Sequence, residues 1–137
     1  LPVSHLAIGA MIAALLHPRT SLRRDWRVVG LGAFFALAPD FDFFLVWVLG
    51  LSRSWHRSFS HSVFFALAVT VFLLAWTRLS RPKIALACGL ALLSHGLMDY
   101  LAANEGGGVR LLFPFSLRWM KFGYGSFFET GPGSYWY

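Results

Sequence analysis

Histidine and aspartate are scarce in this chain, and most of them stand where an ionisable group is expensive. His5, Asp40, Asp42, His95 and Asp99 fall inside apolar stretches, and His56 and His61 flank the start of another. A charge at the centre of a bilayer costs roughly 3 kcal/mol or more, so such residues face a partner, an ion or a water-filled cavity. Imidazoles and carboxylates without a thiolate suit zinc, manganese or iron, with zinc preferred. A bound ion of this kind can acidify water and polarise a substrate oxygen. Seven candidates exceed the four ligands that one zinc usually takes. Two ions, or one ion with separate acid–base residues, are both compatible with the set.

Individual spacings support this to different degrees. His95 and Asp99 are four residues apart, on one face of a helix, where both can bind one ion or simply hydrogen-bond to each other. Asp40-Phe41-Asp42 follows Pro39, so both carboxylates can reach one cavity, although Asp40 can equally serve as a helix cap. Asp42 is a candidate general base or a partner that orients a metal-bound histidine. Between His56 and His61, Arg57 is placed to hold a phosphate or to snorkel to the membrane surface. His17, next to Pro18 in a basic loop, reads as structural, and Asp25 reads as a helix cap or a surface charge.

These residues must be carried by helices in a membrane. The chain of 137 residues is 57% hydrophobic and only 13% charged. That is too apolar for a soluble domain of this size. Apolar blocks stand at residues 4–16, 28–51, 62–76 and 84–101. They approach the roughly 20 residues that a helix needs to span the hydrocarbon core. The expected fold is therefore all-α and polytopic, a single domain over residues 1–137 with about four transmembrane helices. Ser4 is expected to cap the first helix and Ser60 the third. Pro39 is expected to break the second, leaving Asp40 to cap a following half-helix. Residues 109–122 mix Arg110, Arg118 and Lys121 with Leu, Phe and Trp119, which suits an interfacial segment rather than a fifth span. The first block has no basic segment before it and no small-residue cleavage site after it, so it reads as a structural helix rather than a secretory leader. Leu1 stands where an initiator Met would, as in a trimmed chain. Cys88 lies mid-helix and reads as a small core residue.

The net charge of +6 does not imply nucleic-acid binding, because the basic residues sit in short connections between apolar blocks. The loops at 17–27 and 78–83 hold seven of the twelve Lys and Arg, and an up-down order of four helices places both on one face, which is expected to be cytoplasmic. Counted back from those loops, His5, Asp40, His61, His95 and Asp99 all lie roughly 18 to 25 Å above the basic face, at about 1.5 Å per residue. Separate segments thus bring His or Asp to one membrane level, on the extracytoplasmic side.

Five ordered motifs carry a resemblance. Ser4-His5-Leu6-Ala7-Ile8-Gly9, Ala38-Pro39-Asp40-Phe41-Asp42, His56-Arg57-Ser58-Phe59-Ser60-His61-Ser62, Ser94-His95-Gly96-Leu97-Met98-Asp99 and Leu111-Leu112-Phe113-Pro114-Phe115-Ser116 together resemble the YdjM-like family of membrane-bound, metal-dependent hydrolases. The resemblance covers residues 4–116 and implies metal dependence and hydrolase activity in a plasma (inner) membrane. Ser58 stands in place of a common Gly, Ser60 of a common Thr, and Ala102 where a Thr often follows the last histidine–aspartate motif; none of these removes a candidate ligand. The His95-x-x-x-Asp99 element is also similar to one in zinc-dependent phospholipases C, which favours phosphoesters.

The sequence is therefore expected to encode a hydrolase of a lipid or lipid-linked substrate. Its metal ligands would be His5, Asp40, His56, His61, His95 and Asp99, with Asp42 and Arg57 as catalytic groups and one or two divalent ions bound. Two alternatives use the same residues: amide hydrolysis of an acylated lipid, as in membrane ceramidases, and non-enzymatic metal binding or transport. Transport is disfavoured by the few polar side chains between the candidate residues and the basic face, at 10–16, 28–37, 65–76 and 84–93.

Overall fold

Helix α1, Pro2–Leu16, opens on a proline, whose fixed φ and missing N–H suit the first turn. Ser4 therefore lies within that turn and is not the cap expected of it. A computed structural model of the chain describes residues 2–17, 26–102 and 107–122. Asp25, most of the first basic loop and the Gly- and aromatic-rich tail lie outside the described residues.

Helix α2, Trp26–Leu37, is interrupted at Pro39, as expected. The lost N–H and the ring's clash with the preceding turn tighten the backbone into a 3-10 segment over Ala38–Asp42, and the run resumes as α3, Phe43–Trp47. Asp40 falls inside the 3-10 turn instead of capping a half-helix. Asp42 occupies the N-cap position of α3 but gives it no side-chain hydrogen bond. Two short 3-10 turns follow, Arg53–Trp55 and Phe59–His61. Helix α4, Val63–Trp76, is capped by Ser62, whose Oγ accepts from the Phe65 amide at 3.0 Å. Ser60, the expected cap, is engaged elsewhere. Helix α5, Pro82–Ala102, again starts on a proline. Residues 107–122 form turns in which Val109 and Met120 exchange backbone hydrogen bonds of 2.8 and 2.9 Å.

Trp26–Trp47, at 22 residues, and Pro82–Ala102, at 21, are long and apolar enough to cross a membrane, and the bent pair Arg53–His61 and Val63–Trp76 adds a third if it is one span. The expected fourth is α1, which has 15 residues. That is short for a hydrocarbon core of roughly 30 Å. The side-chain distribution fits lipid. The buried apolar residues of the helices are mainly small, including Ala13, Ala36, Ala66, Ala85, Ala87 and Ala91, whereas Leu15, Phe34, Leu67, Phe72 and Trp76 are exposed. In hydrocarbon, helices gain nothing by hiding Leu from solvent, so close backbone approach through small residues holds them together. The chain is an integral membrane protein.

The described residues pack as two units, Leu1–Ala38 with Ala66–His95, and Pro39–Phe65 with Gly96–Tyr137. In the first, α1 and α2 cross at two glycines. A Cβ on Gly9 would run into the Gly32 carbonyl and the Ala36 Cβ, and one on Gly32 would meet the Gly9 carbonyl and the Ala13 Cβ. Gly89 of α5 similarly admits the Thr70 hydroxyl of α4. Cys88 is a buried free thiol, as its mid-helix position suggests. In the second unit, the Val63 amide donates to the Leu111 carbonyl at 2.9 Å, and Val109, Leu111 and Trp119 are buried.

Candidate metal centre

In the second unit, Asp42 is the hub. Its side chain is 1% exposed, and both oxygens are occupied by donors. His56 Nδ1 lies 2.7 Å from Oδ1. The Arg57 amide, at 3.1 Å, and the Ser60 hydroxyl, at 2.6 Å, both donate to Oδ2. A carboxylate that accepts several hydrogen bonds in a buried site orients its neighbours firmly. Arg57 adopts a left-handed φ of 58°. Such a conformation costs a non-glycine residue roughly 1–2 kcal/mol. In that conformation its amide reaches Asp42, and its carbonyl accepts from the Arg110 amide at 3.0 Å.

Hydrogen-bond accounting then fixes the tautomer of His61. The one proton of the Ser60 hydroxyl goes to Asp42, so the 3.0 Å contact between Ser60 Oγ and His61 Nδ1 requires Nδ1–H as donor. In the neutral imidazole, Nε2 then carries a lone pair. That lone pair lies 3.8 Å from Asp40 Oδ1 and 3.5 Å from Asp99 Oδ2. A lone pair that faces two carboxylates calls for a positive charge, which protonation of Nε2 or a bound ion would supply there. Each of these two spacings, taken as a pair, suits atoms that share an ion at bond lengths of about 2 Å. The carboxylate and hydroxyl behind His61 are the support that metal-ligating histidines commonly have.

Two further groups adjoin this cluster. Arg57 Nε lies 3.2 Å from Asp99 Oδ2 on a side chain that is 26% exposed, so its guanidinium offers a cation at the rim. Arg110 stacks over Trp119 at 4.5 Å and directs Nη1 toward Ser58 Oγ at 3.4 Å. Helix α5 comes close because of Gly96: a Cβ there would collide with the backbone carbonyl of His61. His56 is stacked on Phe43 with ring centroids 4.0 Å apart, and its Nδ1–H donates to Asp42, so in the neutral ring the lone pair is on Nε2.

In the first unit, His5 and His95 are both buried and stacked, with centroids 3.9 Å apart and rings inclined by 21°. His95 Nδ1–H donates to the Ala36 carbonyl at 2.5 Å, so in the neutral ring its Nε2 is the available ligand atom. The Gly9–Gly32 crossing explains the placement, since His5 is one turn before Gly9 on α1 and Ala36 one turn after Gly32 on α2. On α5, His95 stands one turn before Asp99 and shares its face.

Of the candidates read from sequence, Asp40, Asp42, His56, Arg57, His61 and Asp99 thus belong to one packed unit, and His5 and His95 form a pair in the other. His17 lies just past the end of α1, with its amide bonded to the Ala13 carbonyl at 3.2 Å. Four contributors are missing from the sequence reading of the site: Ser60, Gly96, Arg110 and the Ala36 carbonyl. Ser60 and Gly96 sit inside the histidine motifs, so position alone could flag them, whereas nothing in the sequence singles out one backbone carbonyl.

A family model described as YdjM inner membrane protein matches residues 1–133 of the chain. No curated protein and no solved structure matches it.

Proposed function

This chain belongs to the YdjM inner membrane protein family, and from that premise and the ligand geometry we propose that it is a single membrane-embedded, metal-dependent hydrolase domain. It acts on a lipid or lipid-linked substrate at a phosphoester. The observation that carries the reading is the buried His61 Nε2 lying 3.8 Å from Asp40 and 3.5 Å from Asp99. Asp40, His61 and Asp99 are the proposed ligands in one unit, and His5 and His95 those in the other, for one or two ions, with zinc preferred over manganese or iron.

These residues would hold a divalent ion, which when bound would acidify a water to near-neutral pKa and act as a Lewis acid on the substrate oxygen. Asp42 orients His61 and fixes the tautomer of His56. His56 Nε2 accepts the proton of the attacking water, the role of an imidazole backed by a carboxylate. This assigns His56 to proton transfer instead of ligation, and Asp42 to positioning. Arg57, already beside Asp99, binds the phosphate through its planar fork of donors. A cavity of about 240 Å³, lined by Phe59, Phe64, Phe65, Phe113 and Pro114, suits the hydrocarbon part of the substrate. Phe59 and Ser62 of its wall flank Ser60 and His61 in sequence. The proposed site faces the extracytoplasmic side, the reading that the charge bias of the loops supports.

The test is substrate profiling of detergent-purified protein on phospholipids, polyprenyl phosphates and N-acylated sphingoid lipids. The expected result is cleavage of a phosphoester that a chelator abolishes and added zinc restores. Cleavage of the amide alone would transfer the reading to a ceramidase-like reaction. Retained metal with no turnover on any of the three classes would support a non-enzymatic role.

A further inference from the structure

The first unit contains a second cleft, well away from its histidine pair. Its volume is about 490 Å³. Small-molecule sites span roughly 300–1,000 Å³, so the cleft is large enough for a ligand. His17, Ser80, Arg81 and Lys83 supply its polar walls, and Val28 and Ile84 its apolar ones. His17 stands about three helical turns beyond His5 along α1, and Lys83 about three turns before His95 along α5, in each case roughly 18 Å of helix. The cleft therefore occupies the opposite helix ends from His5 and His95.

Its composition selects an occupant. Arg81 and Lys83 give two permanent positive charges, and among the described residues no acidic one lines the walls. Val28 stands in the first turn of α2 and Ile84 in the first turn of α5, where each apolar helix begins. The cleft thus joins a cationic polar end to an apolar side at the level where a membrane helix meets the headgroups. An anionic phospholipid has the complementary form, a phosphate with no compensating cation attached to acyl chains. Free phosphate would leave Val28 and Ile84 without a partner, and a choline headgroup would bring its own ammonium against Arg81 and Lys83. Basic pockets at membrane-helix ends bind anionic headgroups through these forces. We infer that this cleft is a binding site for one anionic phospholipid, separate from the catalytic site and independent of its chemistry.

The experiment compares thermal unfolding of the full chain in detergent with added dioleoylphosphatidylglycerol, dioleoylphosphatidylcholine or inorganic phosphate. A ligand that binds only the folded state raises the midpoint according to its concentration over its Kd. The glycerol lipid should raise it by several degrees, the choline lipid and inorganic phosphate by much less. Arg81→Gln/Lys83→Gln should lose most of the shift, while the charge-retaining Arg81→Lys/Lys83→Arg keeps it. Both side chains are exposed, so the midpoint without lipid should barely change. If the double variant fails to fold, each single Gln variant should lose part of the shift. An undiminished shift in the Gln variants, an equal response to the choline lipid, or full stabilisation by phosphate alone would each overturn the inference.

Discussion

Asp99→Asn is expected to strip the purified protein of most of its divalent metal and to slow hydrolysis more than about 100-fold, beyond the roughly 10- to 100-fold typical of groups that only support a ligand. Asn nearly matches Asp in shape but is neutral and a poorer ligand, so packing around α5 should be preserved. Asp99 Oδ2 lies 3.5 Å from His61 Nε2 and 3.2 Å from Arg57 Nε, so its charge bears on both the buried imidazole and the guanidinium. Cys88→Ser, at a buried position about three turns earlier on the same helix, is the control and should retain metal and activity. Metal analysis and turnover on the identified substrate, read beside helical content, check the expectation. Full metal content with unchanged turnover in Asp99→Asn would mean that this carboxylate serves only its ion pair with Arg57.

Gly96→Ala is expected to have an effect of similar size by a different route. The added methyl would meet the His61 carbonyl, a backbone atom that cannot rotate aside, so helix α5 and the Phe59–His61 turn must separate. Overpacking of this kind costs about 1–3 kcal/mol. A displacement of about 1 Å between catalytic groups costs about 100-fold in rate. Gly30→Ala is the matched control. Nothing lies within 4 Å of a Cβ built there. Alanine in place of a helical glycine stabilises by about 0.5–1 kcal/mol. Activity and unfolding midpoint should therefore fall in Gly96→Ala, while in Gly30→Ala the midpoint rises and activity is kept. An active, normally stable Gly96→Ala protein would show that α5 and the histidine turn tolerate separation.

The helices and the seven chemically suspicious residues are legible in the sequence for one reason. Hydrocarbon penalises ionisable groups so strongly that each His or Asp inside an apolar block stands out. The local details are less legible because they depend on tertiary partners. Ser60 and Ser62 are equally good caps by type, and what separates them is that Asp42, 18 residues upstream of Ser60, draws the Ser60 hydroxyl away from α4. Pro39 reads as a break because its missing N–H is a local fact, and the α-helix does stop there; the 3-10 turn that bridges it to α3 is the part the sequence leaves unread. The role of Asp42 stays between base and support in the sequence, since only geometry reveals that its oxygens are filled by His56, Arg57 and Ser60. Apolar composition marks α1 as clearly as α5, although it has 15 described residues against 21.

The central claim, that buried His and Asp side chains hold a catalytic divalent ion, is tested most directly by elemental analysis of the protein purified without added metal. The measurement is repeated on a chelator-stripped sample resupplied with zinc, manganese or iron(II), and on His61→Ala. The account predicts stoichiometric divalent metal in the wild-type chain, loss on chelation, recovery from at least one of the three ions, and substoichiometric metal in His61→Ala. A wild-type protein that neither carries metal as purified nor binds any of the three would contradict it, and would leave the His61, Asp40 and Asp99 cluster as a proton-balanced ion-pair network.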